Sequence, residues 1–352
     1  MPSRSSRSAE RAEASPVTRS ASAPLPVGLV GLGKHGSRYL THLRGDTPGL
    51  RVAALCRKDV ASGAAKAREI GAVFHADLED LIADPGVAAV ISVVPPTENE
   101  RVVAAAVRAG KPLLLEKPFS SSLAAGIRQR DLIAASGLPC LVAQTLRFSR
   151  VVREVRRHLA SLGRLHQIVL GKSFEPTRLA WLDDPALAGG GNILHTGVHM
   201  FDLLRHLSGG EVVRVGCTLT RVTTRATEDS FAASMVLDVG DGPPLLAAVA
   251  GSRTTPSRYG EIRVLGERGQ IVADHVHGRV GRIDDRRETV LASISDDPTV
   301  VTVLHEFERV ARGEAQPSVD ANEGLAAVAI ADACYRSAAS GRFVATWPRE
   351  DG

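Results

Sequence analysis

Cysteine is scarce in this 352-residue chain: Cys56, Cys140, Cys217 and Cys334 lie far apart and none belongs to a CxxC pair. That spacing argues against a disulfide framework and a four-cysteine zinc site, and fits a reducing cytoplasm. No apolar run approaches the ~18 to 20 residues that a membrane-spanning helix needs, so a transmembrane protein is not expected. A surplus of one charge is missing too. The 43 Lys+Arg and 39 Asp+Glu leave a net +4, spread along the chain and not gathered into a stripe, which gives no support to a nucleic-acid partner.

What is present is ordinary for a soluble chain: 44% hydrophobic and 23% charged residues, and a length that holds about two domains at roughly 150 residues each. Residues 1–24 are rich in Ser, Ala and Arg, are interrupted by Glu10 and Glu13, and have no apolar segment after the charges; they read as a disordered tail. From Leu25 to about Gln144, short apolar runs (LPVGLVGL, RVAALC, VAAVISVV, PLLLE, PCLVAQ) alternate with helix-like stretches of ten or more residues. This alternation predicts a doubly wound α/β domain with parallel strands and crossover helices, over residues 25–147. Beyond Gly163 the period changes to two, with Val213, Val215, Cys217 and Leu219 opposed to Arg214, Gly216, Thr218 and Thr220. Further such runs, 229–239, 245–250, 262–265 and 271–273, follow without intervening helices and predict an open, mostly antiparallel sheet. Helical patterns over 301–312 and 322–340 close an α+β domain of residues 148–352.

The first strand runs into Gly31-Leu-Gly33-Lys34-His35-Gly36, a GxGxxG between a strand and a helix. Gly31 permits the turn, Gly33 admits a pyrophosphate to the backbone, Gly36 lets helix and strand approach, and Lys34 and His35 open the helix at the anion. An ordinary glycine-rich turn and an adenosylmethionine-binding loop are the competing readings. An acidic residue about 20 positions after the glycines marks an NAD-selective site, but here the second strand ends Leu55-Cys56-Arg57-Lys58. Arg57 offers a guanidinium fork, and Lys58 a point charge, to a ribose 2′-phosphate, so NADP is expected over NAD. Asp59, turned to the ribose, would give the opposite preference.

The fourth strand stops at Pro95-Pro96, and the fifth delivers Glu116-Lys117-Pro118. Ligands of open α/β sheets gather beyond the carboxyl ends of the strands, which places Lys117 where a nicotinamide ring and a substrate hydroxyl would meet; a solvated lysine is the plain alternative. The second constellation is GGGNILHTGVHMFDLLRHL, residues 189–207. Asn192 is expected to cap the helix that follows. His195, His199, Asp202 and His206 recur at intervals of four, three and four in otherwise apolar surroundings, as a polar stripe on a mostly buried helix. Acid–base catalysis, with Asp202 orienting His199, is the favoured reading of that stripe. Zinc binding lacks the glutamate of HExxH, and satisfied core histidines are the third reading.

These motifs resemble the glucose-fructose oxidoreductase, inositol dehydrogenase and rhizopine catabolism family of NAD(P)-dependent oxidoreductases. GLVGLGKHG, VPPTENERVVAAAVRAGKPLLLEKPF, GGGNILHTGVHMFDLL and the closing ACYRSAASGR stand in order across nearly everything after residue 25. The resemblance implies hydride transfer on a sugar, cyclitol or related polyol, with Lys117 polarising the substrate oxygen, His199 as acid/base, and the open sheet joining a homodimer or homotetramer. His195 stands where the family commonly has aspartate, and Asn99 where a histidine is frequent. Arg147 is expected at the substrate cleft or between the domains, Trp181 against a sugar ring or in packing, and His195 and Asn192 beside the substrate. A nucleotide-binding regulator without turnover, and aldose–aldose transfer with a permanently bound cofactor, are the rival functions.

Overall fold

The computed structural model describes residues 23–295 and 297–347, so the tail expectation for residues 1–22 lies outside the described residues. The first lobe alternates β1 (Leu25–Val30), α1 (Lys34–Gly45), β2 (Leu50–Cys56), α2 (Val60–Ile70), β3 (Val73–His75), α3 (Leu78–Ala83), β4 (Ala89–Ser92), α4 (Asn99–Ala109), β5 (Leu113–Glu116), α5 (Leu123–Ser136) and β6 (Cys140–Ala143). All six strands are parallel in the order β3-β2-β1-β4-β5-β6. This is the doubly wound arrangement whose crevice opens where β1 and β4 diverge. Every residue of β4, β5 and β6 is buried, because helices cover both faces of the sheet.

The second lobe follows with α6 (Arg150–Leu159), β7 (Leu165–Ser173), α7 (Pro185–Ala188), α8 (Val198–Ser208), β8 (Glu211–Thr220), β9 (Ser230–Asp238), β10 (Leu245–Ser252), β11 (Tyr259–Gly266), β12 (Gly269–Asp274), β13 (Arg279–Asp284), β14 (Arg287–Ser293), α9 (Thr299–Ala311), α10 (Ala321–Ser340) and β15 (Val344–Ala345). Nine strands form one sheet, β14-β13-β12-β11-β7-β10-β9-β8-β15, antiparallel except for the β7–β10 pair. Alternation sets its two faces: Phe231, Ala233, Met235 and Leu237 of β9 are buried with Leu245, Ala247 and Val249 of β10, and their neighbours face outward.

One expectation fails on β8. A register shift between Val212 and Arg214 turns Val212 inward and leaves Val213 exposed; Val215 and Cys217 are buried as the alternation predicts, while Leu219, in the same phase near the strand's end, is exposed.

The closing helices return to the first lobe. Val300, Val303, Leu304 and Phe307 of α9 join its core, and the Val142 N–H of β6 donates to the Val319 carbonyl at 2.8 Å. α10 lies between the two cores, with Leu325 and Val328 in the first and Ile330, Ala331 and Cys334 in the second.

Candidate active site

The turn after β1 has the shape its glycines require. Gly31 has φ +92°, and a Cβ there would fall 2.3 Å from the Val93 carbonyl oxygen. A Cβ on Gly36 would fall 2.0 Å from the Gly31 carbonyl, while one on Gly33 would meet open space. No side chain caps α1, which leaves the N–H groups of its first turn for a ligand. A pyrophosphate fits such a cradle. At the end of β2, Asp59 is committed to its own helix, accepting from the Ser62 N–H, and Lys58 pairs with Glu98 at 3.4 Å. Arg57 makes no hydrogen bond or ion pair among the described residues. Pro95 leads in extended conformation into a short turn over Pro96–Glu98, where the Thr97 hydroxyl donates to the Leu187 carbonyl of the second lobe.

Glu116 is buried at the end of β5 and accepts from Tyr39 Oη and His35 Nε2, each at 2.8 Å, and from the Lys117 N–H at 2.9 Å. Burial pushes its carboxyl up, but His35, Lys117 and Tyr39 outweigh that and hold it below the usual range. The His35 side chain is therefore spent on Glu116, and what it can offer a cofactor is its backbone N–H. Asn99 is buried, and its Nδ2 donates to the carbonyls of Pro118 (3.2 Å) and Phe119 (3.1 Å), fixing the turn that carries Lys117. The Lys117–Pro118 bond is cis. Lys117 Nζ donates to the His195 carbonyl at 3.0 Å, across the gap between the lobes.

His195 lies in a single π-helical turn, Ile193–Gly197, that opens α8. Asn192 begins this turn, but its side chain is not the cap: Nδ2 donates to the Asp229 carbonyl and Oδ1 has no partner. Glu228, from the strand side, takes that role by accepting from the N–H groups of Gly191 (3.1 Å) and Ile193 (2.8 Å) and from Tyr335 Oη (2.9 Å). Gly191 is required there, since a Cβ would fall 2.0 Å from the Glu228 carbonyl.

The expected polar stripe is divided. His195 Nε2 donates to the Ala188 carbonyl at 2.9 Å, and its ring meets Trp181 edge to face at 5.5 Å. Asp202 does not orient His199. It forms a two-point pair with Arg147, Nε to Oδ2 at 2.8 Å and Nη2 to Oδ1 at 2.6 Å, and Arg147 and Arg205 also hold Glu323. The guanidinium of Arg147, expected at the substrate cleft or between the domains, is occupied by carboxylates that tie α8 to α10. His206 is outside the site, beside Arg156.

His199 Nδ1 is buried without a partner. Burial, then the charges of Lys117 and Lys172, hold this imidazole well below its ordinary pKa. Burial and Lys117 likewise bring His195 down to about 3. Both rings are neutral near neutral pH. Lys117 is itself lowered by burial, against the opposing pull of Glu116.

Three residues of this neighbourhood escaped sequence reasoning: Lys172, Arg253 and His275. Lys172 continues the inward row of Ile168 and Leu170 on β7, half-buried, and the same period would have marked it as a lysine on the inner face. Arg253 follows the inward row of β10, and its guanidinium lies 5.5 Å from the ring centroid of Phe174. His275 sits just past β12 with no motif around it. Among the described residues no group of three His, Cys, Asp or Glu is placed to hold a metal.

The profile of an oxidoreductase family with an NAD-binding Rossmann fold matches residues 25–144, and that of the family's C-terminal alpha/beta domain matches residues 160–346. Inositol 2-dehydrogenase 1 of Saccharopolyspora erythraea is 30% identical over 335 residues, covering 90% of this chain and 94% of the relative. The scyllo-inositol 2-dehydrogenase (NAD(+)) of Bacillus subtilis is 26% identical over 274 residues, 75% of this chain and 76% of that one. Among solved structures, the aldose-aldose oxidoreductase of Caulobacter crescentus, complexed with glycerol, shares the fold with TM-score 0.81 at 20% identity, covering 92% of this chain and 99% of that one. With both family profiles matched in order around a cradle that fits a dinucleotide, the chain belongs to the Gfo/Idh/MocA family of oxidoreductases.

Proposed function

We propose that this protein is an NAD(P)-dependent dehydrogenase acting on a CH–OH group of a cyclitol, sugar or related polyol bound between the lobes. The observation that carries the reading is the Lys117–His195 bridge, which brings an amine of the first lobe to the helix that also bears His199. The relatives named inositol dehydrogenases support the substrate class.

Gly31, Gly33, Gly36 and the first-turn N–H groups of Lys34 and His35 would hold the pyrophosphate, and Pro95, Pro96, Glu116 and Lys117 would border the nicotinamide. Arg57 would receive a 2′-phosphate and favour NADP. The bound nicotinamide supplies the acceptor or donor of hydride. Lys117 donates to the substrate oxygen and stabilises the alkoxide that develops there. His199, neutral and with its other nitrogen free of competing bonds, takes the hydroxyl proton in oxidation and returns it in reduction. His195 positions a neighbouring hydroxyl through its ring or carbonyl, beside Trp181.

The outer face of the nine-stranded sheet supports self-association. It presents small residues such as Gly171, Ala232 and Ala250 together with exposed Leu246 and Tyr259, and carries two shallow depressions of about 640 and 520 Å³ away from Lys117. A homodimer or homotetramer would cover it.

The test is reduction of NADP and NAD by the full chain with a panel of cyclitols and aldoses. Turnover of at least one cyclitol or sugar is expected. Tight binding of reduced cofactor with no turnover of any polyol or carbonyl would favour a regulator instead.

A further inference from the structure

Lys172, half-buried, and Arg253, buried against the Phe174 ring and drawn only at a distance by Asp229 and Glu228, are cations with no carboxylate in contact. Neither side chain makes a hydrogen bond or ion pair among the described residues, and Arg253 Nε is buried without a partner. Strand period puts both on the inner face of the sheet. Lys172 stands opposite Gly251 of β10 and Gly260 of β11, so its flanks on the inner face carry no side chains, and Arg253 follows two residues after Gly251 on the same face. The His275 ring fills the space over Gly260, where a Cβ would fall 2.3 Å from Cε1, and both of its nitrogens are buried without partners. Lys117 borders the same space, near enough for its charge to lower Lys172, whose amine burial, Lys117 and Arg258 bring to about 8.

The surrounding carboxylates are already engaged. Glu228 caps the π-helical turn, and Asp229 accepts from the N–H groups of Val222, Thr223 and Thr224. Asp274 holds Gly260, Val276 and His277, Glu175 pairs with Arg258, and Glu116 serves Tyr39 and His35. The neutral rings of His195, His199 and His275 add no negative charge. Burying unpaired cations is costly, and a protein retains such an arrangement where a ligand completes it.

We propose that the substrate is an anionic polyol, bearing a carboxylate or phosphate that Lys172 and Arg253 receive while its reacting hydroxyl lies between Lys117 and His199. Arg253 offers a fork to two oxygens, Lys172 a point charge, and His275 one N–H. This rests on the dehydrogenase reading above and narrows its substrate class.

Matched ligands test it with the full chain and saturating NADP: glucose, glucuronate and glucose 6-phosphate, and inositol beside an inositol monophosphate. Activity and quenching of reduced-cofactor fluorescence are both followed. At least one charged member is expected to exceed its neutral parent about 100-fold in kcat/KM or in affinity, the uronate and phosphate arms showing which oxyanion the site takes. Lys172→Gln and Arg253→Gln should each cut that preference at least 10-fold, chiefly through KM, and Lys172→Arg should restore part of it. A charged ligand that raises the melting temperature of the parent protein, but not of Lys172→Gln, supports the site without reference to turnover.

Neutral polyols oxidised as well as their charged counterparts would overturn the proposal and leave the dehydrogenase reading standing. Tight, Lys172-dependent binding of a charged ligand with no hydride transfer from any polyol would do the reverse. Variants that weaken charged and neutral ligands equally would also overturn it.

Discussion

Lys117 and His195, 78 positions apart in sequence, are joined by one hydrogen bond of 3.0 Å from ammonium to carbonyl. Each comes from a different lobe, so a single side chain both closes the interlobe gap and presents its charge beside His199. Substitution Lys117→Ala is expected to lower kcat by roughly 100-fold or more, the usual order for an electrostatic or acid–base group. Steady-state assays at saturating cofactor, with fluorescence titration showing cofactor affinity within a few-fold of the parent, check it. Normal turnover by this variant would remove Lys117 from the chemistry.

Cofactor preference depends on the end of β2. Asp59 is engaged in capping α2 and Lys58 by Glu98, which leaves Arg57 as the group to meet a 2′-phosphate. The parent protein should favour NADP in kcat/KM. Arg57→Ala should cost NADP roughly 10- to 100-fold, the loss of a charge-assisted hydrogen bond, with little change for NAD. A parent protein selective for NAD, or equal losses for both cofactors, contradicts this role.

Acid should destabilise the fold through its buried imidazoles. Burial holds His195 and His275 at about 3, below the ordinary value near 6.5. Between those values the unfolded chain binds more protons than the folded one, so stability falls as pH drops below about 6.5 and the loss levels off near 3. From pH 7.5 to pH 5 linkage predicts a loss of about 2 kcal/mol for each of these two histidines. Urea denaturation of the parent and of His275→Gln at the two pH values measures it: the variant should lose about 2 kcal/mol less than the parent over that interval.

The sequence made the first lobe readable because its signals are local. Gly31, Gly33 and Gly36 must stand where they do for a strand to turn into a helix over a phosphate, and Lys117 is announced by the strand that ends at it. His199 was legible through its apolar neighbours. The partners of the helix were not. Arg147 reaches Asp202 across 55 residues, and Glu228 caps a turn 35 residues before it, pairings that only the packed sheet and helices create. The bulge beside Val213 was equally hidden, since nothing in an alternating run marks where one residue is left out of register. Lys172 shows a different limit: its placement follows from strand period, but that it lacks a counterion depends on where every nearby carboxylate has been spent.

The return of α9 to the first lobe bears on how the molecule can be taken apart. Because Phe307 and its neighbours complete a core begun nearly three hundred residues earlier, and β6 is bonded along its edge to Val319, an excised 25–147 fragment would show a naked greasy flank and an open strand border to solvent. Such a fragment is a poor starting point for grafting or crystallisation, and swapping cofactor modules between relatives would succeed only if the last two helices travel with the nucleotide half.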